Sequence, residues 1–445
     1  MGPFMSLLKE PPPPQERKVR RTLTQLGFEY RPTGPEGRQQ LVHVHSGAAL
    51  NEHNWHIFSG GNYEQLADAC MDHIHELMVH DDDLGLQWVK LPVPPGKAGP
   101  IHLTTPRARV LATSDLHTNK KGLLVLITGK GGVRTGHWGR KLVIQDSIEH
   151  GSQWSIMRAA VERGWAVVSF DPNRNVDDND RRIPGSETGE AHCIHAWRCL
   201  VTGLQKEDGE PEPEKHKSAP SLRKTSFANM KQSLSASFSG SFAASMLRRS
   251  SVTRQRAVSQ GHFMGASPAK KIAIVAHSAG GAWLLSCLQP QHTPAEHVQR
   301  IRAFAFTDSI HTMTRPRVGD RLYEMINKTG VQFRAGPWAL DEVFPDDRAP
   351  KGQLDLGCGC EVRGSGTFDH SAVNFMAEQS IIKHLDAHMG ASPNDEDDEG
   401  STTEDDDEEA LANPTYESDF MFPALNVDID QRLLNDPDND LQVIR

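Results

Sequence analysis

The stretch IAIVAHSAGGAW, Ile272–Trp283, decides how this chain is read. Its first six residues are an apolar run of buried-strand length, and Gly280–Leu288 continues with the composition of an apolar helix. Between the two stands Ser278. A serine whose hydroxyl must project from the end of a sheet has to sit on a sharp strand-to-helix turn. That turn crowds its neighbours, so small residues flank it. Here Ala276, Ala279 and Gly280 supply them, in the G-x-S-x-G frame with alanine replacing the first glycine.

Working outward, Leu123–Thr128 predicts a buried strand that ends in Thr128-Gly129-Lys130-Gly131-Gly132. Ser152–Arg163 predicts a helix, Ala166–Phe170 a strand ending in Asp-Pro-Asn, and Glu187–Leu204 a second helix. After the elbow come a strand at Ile301–Thr307, a helix at Arg321–Lys328, a strand at Val331–Arg334 and a closing helix at Ser371–His388. Order is expected to begin near Leu26, where GFEYRPTGPEGRQQLVHVHSG (27–47) predicts two extended pieces around a turn. Tyr63–Val79 carries Leu66, Ala69, Cys70, Ile74, Leu77 and Met78 at helical spacing, and Gln87–Val93 is a strand candidate. Strands alternating with helices predict an α/β fold: an α/β-hydrolase-like, doubly wound, mostly parallel sheet with helices on both faces.

Composition sets the limits of this domain. The 445 residues are 37% hydrophobic and 24% charged, and no apolar run approaches the ~18 residues of a membrane span. The N-terminal residues lack the basic and long apolar stretches of a secretory signal. The net charge of −10 is unevenly spread, with −16 in residues 391–445 and +6 in the remainder. Most of that positive excess lies in residues 205–268, which hold ten basic and five acidic side chains. Residues 1–22, with Pro11–Pro14 and a small Lys/Arg cluster, are expected to be a disordered basic N-terminus. Residues 23–390 form the domain, 205–268 a disordered Ser-rich basic insertion, and 391–445 an acidic disordered tail. Ser226, Ser250 and Ser251 lie in basophilic-kinase contexts, and Ser401, Thr402 and Thr403 in acidophilic ones. The near-neutral core and the lack of an RNA-binding signature argue against RNA binding by the domain itself.

Of the six cysteines, Cys70, Cys193, Cys199 and Cys287 sit in apolar stretches, as buried thiols do, which favours a reducing compartment. Cys358 and Cys360 form a lone C-x-C in a glycine-rich turn. His43/His45, His73/His75 and His192/His195 lack a third ligand at a diagnostic spacing, so no metal and no cofactor is expected.

Acyl-transfer chemistry at Ser278 needs three further parts. Oxyanion donors are expected from the N–H of Ala279 and from the loop N–H groups at Gly129 and Lys130. The base is expected at His370, in a polar loop before the closing helix. The acid is open between Asp341, which gives the order Ser…Asp…His, and Asp308, which ends the strand after the nucleophile helix. Asp341 is slightly ahead on chain order.

LLVLITGKGGVRTGHWGRKLVI, AVVSFDPNRN, IAIVAHSAGG and FTDSIH, taken together and in that order, resemble the Arb-two (Argonaute-binding protein two) domain family. The GFEY segment and EAHCIHAW point to its animal-type branch, the family with sequence similarity 172. The resemblance spans roughly Leu26–His388 without the insertion. It implies an α/β-hydrolase fold and a nuclear interaction factor in small-RNA (Argonaute)-linked silencing, heterochromatin formation or co-transcriptional regulation. It implies Argonaute-type and chromatin or splicing proteins as partners, small-RNA complexes reached indirectly, and a nuclear location with the cytoplasm as a second compartment; no membrane is expected as a partner, from the lack of a long apolar run. Matched motif by motif, Ser278 falls on the family's serine, Asp308 on its Thr-Asp-Ser aspartate, Asp341 on a Leu-Asp pair and His370 in its late-histidine region. The chain ends in QVIR, which is not an endoplasmic-reticulum retrieval signal. The alternative to the interaction factor is a serine hydrolase of esterase or thioesterase type using Ser278, His370 and one aspartate.

Overall fold

A computed structural model of the protein describes residues 20–33, 37–94, 105–203, 260–261, 265–313, 318–344 and 357–390. The readings made for residues 1–19, for most of the insertion and for the acidic tail, including all six phosphoacceptor residues, lie outside that set.

Nine strands form the central sheet: β3 (Leu86–Lys90), β4 (Arg109–Thr113), β5 (Leu123–Ile127), β6 (Ala166–Ser169), β7 (Gln260–Gly261), β8 (Ile272–His277), β9 (Ile301–Thr307), β10 (Gly330–Arg334) and β11 (Glu361–Gly364). Their order is β11-β10-β9-β8-β5-β6-β4-β3-β7. The run from β11 to β6 is parallel throughout, and β4 is antiparallel to both of its neighbours. A separate antiparallel hairpin, β1 (Phe28–Pro32) with β2 (Gln39–His43), occupies the predicted extended pieces. This is the mostly parallel α/β-hydrolase-like sheet that the alternation predicted.

Both faces of the sheet are covered, which explains why its central strands are continuous apolar runs rather than alternating ones. Leu123, Val125 and Ile127 of β5 join Ile272, Ile274 and Ala276 of β8 in one core. Leu124 and Leu126 join Ala273 and Val275 in the other. The first face is packed by α3 (Gly189–Trp197), α4 (Ala279–Cys287) and α5 (Asp320–Thr329), the second by α1 (Tyr63–Val79), α2 (Trp154–Glu162) and α6 (Glu378–Met389). Each fully buried leucine or isoleucine in these layers contributes roughly 1.5–3 kcal/mol.

Local signals explain the helix starts. Asn62 accepts the Gln65 N–H at 3.1 Å and caps α1, and Thr188 accepts the Ala191 N–H at 3.1 Å and caps α3. Thr22 and Gln25 close a capping box on a short helix at Leu23–Leu26, ahead of the extended pieces. Part of the stretch expected as an insertion lies within the described residues. Gln260–Gly261 pairs in parallel with β3, and the buried Ser267 donates its N–H to Leu200 O at 2.7 Å. The expected single closing helix is broken into a 3-10 turn at His370–Ala372, a short helix at Val373–Met376 and α6. Two buried polar side chains anchor the pieces differently. Asn374 accepts the Thr307 hydroxyl at 2.7 Å, and Glu378 accepts that of Ser155.

Candidate active site

Chain order places the switch of direction between β5 and β8: the segment after β5 goes to one side of the sheet and the segment after β8 to the other. Crevices at such points lie at the carboxyl ends of the strands. Ser278 follows β8 directly and the Gly129 loop follows β5.

Ser278 has φ 52° and ψ −124°. Left-handed backbone in a residue with a side chain costs about 1–3 kcal/mol, and the surroundings hold it there. Its N–H donates to Thr307 O at 3.0 Å, and its carbonyl accepts the Ile310 N–H at 3.3 Å. Close packing behind the elbow explains the small residues. A Cβ on Gly280 would stand 2.6 Å from Ile127 O, and one on Gly281 would stand 2.0 Å from the Ser309 hydroxyl oxygen. Glycine at both positions therefore lets the start of α4 lie against the ends of β5 and β9.

Gly129 faces the serine closely enough that a Cβ there would stand 2.8 Å from Ser278 Cβ. The loop is braced by Asn173, which the sequence reading had not singled out. Its amide donates to Gly129 O at 2.8 Å and to Val133 O at 2.6 Å, and its Oδ1 accepts the Gly131 N–H at 3.3 Å. Asn173 is the last residue of the Asp-Pro-Asn turn after β6, the strand beside β5, and that adjacency was the available signal. Lys130 is exposed on the same loop. Ala279 opens α4, where the first N–H groups have no acceptor in their own helix.

The structure brings Asp308, and not Asp341, to His370. Asp308 Oδ2 lies 2.6 Å from His370 Nδ1. Its Oδ1 accepts the Ala335 N–H at 3.3 Å, and its own N–H donates to Phe333 O at 2.7 Å. Burial alone would raise the Asp308 carboxyl, but the hydrogen bond and charge of His370, then His277 and the Ala335 N–H, hold it below its ordinary value. Asp341 instead accepts the Ser380 hydroxyl at 2.6 Å and lies 3.5 Å from Arg363. It sits in a turn after β10, with its N–H on Gly364 O at the end of β11, so chain order misled the preference for it.

His277 adds a second imidazole. It is buried, its Nδ1 lies 2.9 Å from Thr307 O, and its ring lies 4.6 Å from the ring of His370. Burial first, and then the charge of His370, pushes it down to about 3, so it stays neutral. Asp369 caps the turn that carries His370, accepting the Ser371 N–H at 2.9 Å, and Lys141 holds Asp369 at 3.2 Å. One cavity of about 240 Å³ is lined by residues such as Arg21, Phe58, Ser59 and Gln65, and a smaller one lies beside Trp165. Neither is lined by Ser278, Asp308 or His370. Among the described residues no cluster of three metal-ligating side chains occurs, and no helix is long and apolar enough to cross a membrane.

The same segments that build this geometry carry the family signal. Residues 60–322 match the model of the Arb2 domain. The chain belongs to the Arb2 domain family. It is 24% identical over 392 residues to the cotranscriptional regulator ARB2A homolog of Gallus gallus, covering 86% of this chain and 84% of that one. Over 143 residues it is 34% identical to the FAM172 family protein homolog Y75B8A.31 of Caenorhabditis elegans, covering 32% of this chain and 42% of that one. Among solved structures it is similar to a histone deacetylase from Saccharomyces cerevisiae, with a TM-score of 0.33, 8% identity and coverage of 73% of this chain and 98% of that one. That likeness is too distant to bear on chemistry. The match begins before α1 and runs into α5, so it takes in the Gly129 loop, Ser278 and Asp308 but ends before Asp341 and His370.

Proposed function

We propose that this Arb2-domain protein is a nuclear regulator of transcription-coupled events that works through its partners. In this reading it is an interaction factor for Argonaute-type and chromatin or splicing proteins in small-RNA-linked heterochromatin formation or co-transcriptional regulation, with the cytoplasm as a second compartment. The observation that carries it is the name borne by relatives matching most of the chain, cotranscriptional regulator. Immunoprecipitation of the full chain from nuclear extract is the test. Recovery of Argonaute and chromatin proteins is expected, and their absence while the chain is nuclear sinks the reading.

A second reading, compatible with the first because a fold does not fix a function, is a serine hydrolase of acyl esters or thioesters. It is favoured by the left-handed Ser278 and the 2.6 Å contact between His370 and Asp308. Ser278 Oγ would attack the acyl carbonyl while His370 takes its proton. Asp308, bonded to Nδ1, fixes the ring tautomer and balances the imidazolium charge. The N–H of Ala279 and those of the Gly129-Lys130 loop would receive the oxyanion. A fluorophosphonate probe tests this. Wild-type protein should label at Ser278 and Ser278→Ala should fall to background, since losing a nucleophile costs roughly 10⁶ in rate. Equal labelling of the two proteins, or none of the wild type, ends the reading.

A further inference from the structure

Away from that site, one turn gathers two thiols. Cys358 and Cys360 flank Gly359 just before β11, with their sulfurs 4.0 Å apart and both thiols free. Gly359 has φ +72°, and a Cβ on it would stand 3.0 Å from Met313 Cβ, so only glycine lets the turn close over that side chain. The Cys360 thiol donates to the Cys358 sulfur, and that bond, against burial and with Arg334 nearby, lowers the Cys358 thiol to about 7. The same bond and burial push Cys360 up. The other four thiols are buried, and burial pushes each up, Cys70 and Cys199 to about 12. Cys360 is partly exposed, and Cys358 is 8% exposed.

We propose that Cys358 and Cys360 are a peroxide-reactive dithiol in which Cys358 attacks and Cys360 resolves. The Cys358 thiolate attacks one oxygen of a hydroperoxide and the O–O bond breaks. The leaving oxygen takes a proton and departs as water or alcohol, and Cys358 becomes a sulfenic acid. The Cys360 sulfur then attacks the Cys358 sulfur and gives up its proton, and the hydroxyl leaves as water. The two thiols lose two electrons and two protons in all, and the peroxide is reduced. The sulfurs move from 4.0 Å to the ~2.05 Å of a disulfide.

Hydrogen bonds link this turn to the elbow. His311 lies with Nε2 3.0 Å from the Cys358 carbonyl and Nδ1 2.8 Å from the Ser309 hydroxyl. Burial keeps His311 neutral, down to about 4. Neutral His311 donates through Nε2 and leaves Nδ1 to accept. The Ser309 hydroxyl then has one proton and two acceptors, His311 Nδ1 and the Ser278 carbonyl at 3.0 Å.

The test uses the full chain, reduced, desalted, treated with hydrogen peroxide and then alkylated after unfolding. Trypsin places both cysteines in one peptide, residues 352–363. The wild-type peptide should lose two hydrogens and escape alkylation. Cys360→Ser should stop at a dimedone-reactive sulfenic acid on Cys358, and Cys358→Ser should form neither product. Without peroxide, Cys358 in folded wild-type protein should alkylate about tenfold or more faster than the four core thiols. Peptide 352–363 alkylated at both cysteines after peroxide, or Cys358 no faster than the core thiols, overturns the proposal. Ser278→Ala should form the same disulfide, so a failure of the hydrolase reading and a failure of this one are seen separately.

Discussion

Asp308 and Asp341 are both left-handed aspartates, φ 42° and 63°, the first directly after β9 and the second in a turn that follows β10 of the same sheet. Their surroundings make them different groups. Asp308 leaves β9 directly. Its N–H is taken by β10, one oxygen by the Ala335 N–H and the other by His370, and its side chain is 20% exposed. Asp341 sits on a turn, where its N–H donates to Gly364 O at 3.0 Å and its 45% exposed carboxylate bonds Ser380 and Arg363. A carboxylate at a strand end is aimed by the ladder on both sides. One on a turn is aimed by whatever side chain is near. The acid that faces His370 is therefore set by sheet geometry, and the order of residues along the chain does not report it.

The largest effect expected from this comparison is at Asp308. Asp308→Asn keeps the shape and tolerates the left-handed backbone, but it can offer His370 the wrong hydrogen-bonding partner. Fluorophosphonate labelling of Ser278 should slow roughly 10³- to 10⁴-fold, with the melting temperature as a check on folding. A labelling rate near wild type would break the distinction between the two aspartates at its stronger end.

Gly129→Ala probes the other wall of the same crevice. The new methyl would meet Ser278 Cβ at 2.8 Å, so serine or loop has to shift. Overpacking of this kind costs about 1–3 kcal/mol. A fall in denaturant midpoint together with slower labelling is expected. An unchanged midpoint and rate would mean that the loop is looser than the bracing by Asn173 implies.

Much of the fold was legible in sequence. Tyr63–Val79 and Ile301–Thr307 were bounded as found, because each has clear periodicity or a continuous apolar run between breakers. Ser278 was legible because its demand is local: small residues, a strand before it and a helix after it. The strands that were missed lack a clear pattern. β4, Arg-Val-Leu-Ala-Thr, is nearly all buried and shows no alternation, and β11, Glu-Val-Arg-Gly, is a polar edge strand with no apolar run. The closing helix broke because Asn374 and Glu378 are tied to different layers, a tertiary fact that helical spacing does not carry. Asn173 and the choice of Asp308 required knowing which strands are neighbours.

A third probe separates the regions by acid. His277 is pushed down to about 3 in the folded chain, against an ordinary value of about 6.5. Its folded value is the lower one, so between the two the unfolded chain binds the extra proton. Stability is complete above about pH 6.5 and falls as pH drops towards 3, by up to about 1.4 kcal/mol per pH unit for this group. Asp308, held below its ordinary value, adds a loss that starts only below about pH 4 and continues as pH falls through its folded value. Urea melts across this range should show a shallower slope in His277→Asn than in wild type. An identical slope would mean that His277 is not held neutral against His370.

The smallest effect is expected at Asp341. Asp341→Asn again fits the left-handed backbone, can still accept the Ser380 hydroxyl, and gives up only a half-exposed ion pair with Arg363 at 3.5 Å. Exposed pairs of that kind contribute about 0–1 kcal/mol. The melting temperature should therefore move by a few degrees at most, and Ser278 labelling should stay within about twofold of wild type. The result has force because Asp341→Asn and Asp308→Asn make the same chemical change. If Asp341→Asn slowed labelling as much as Asp308→Asn does, the turn between β10 and β11 would have to reach His370 in solution, and the strand-end argument for Asp308 would fail.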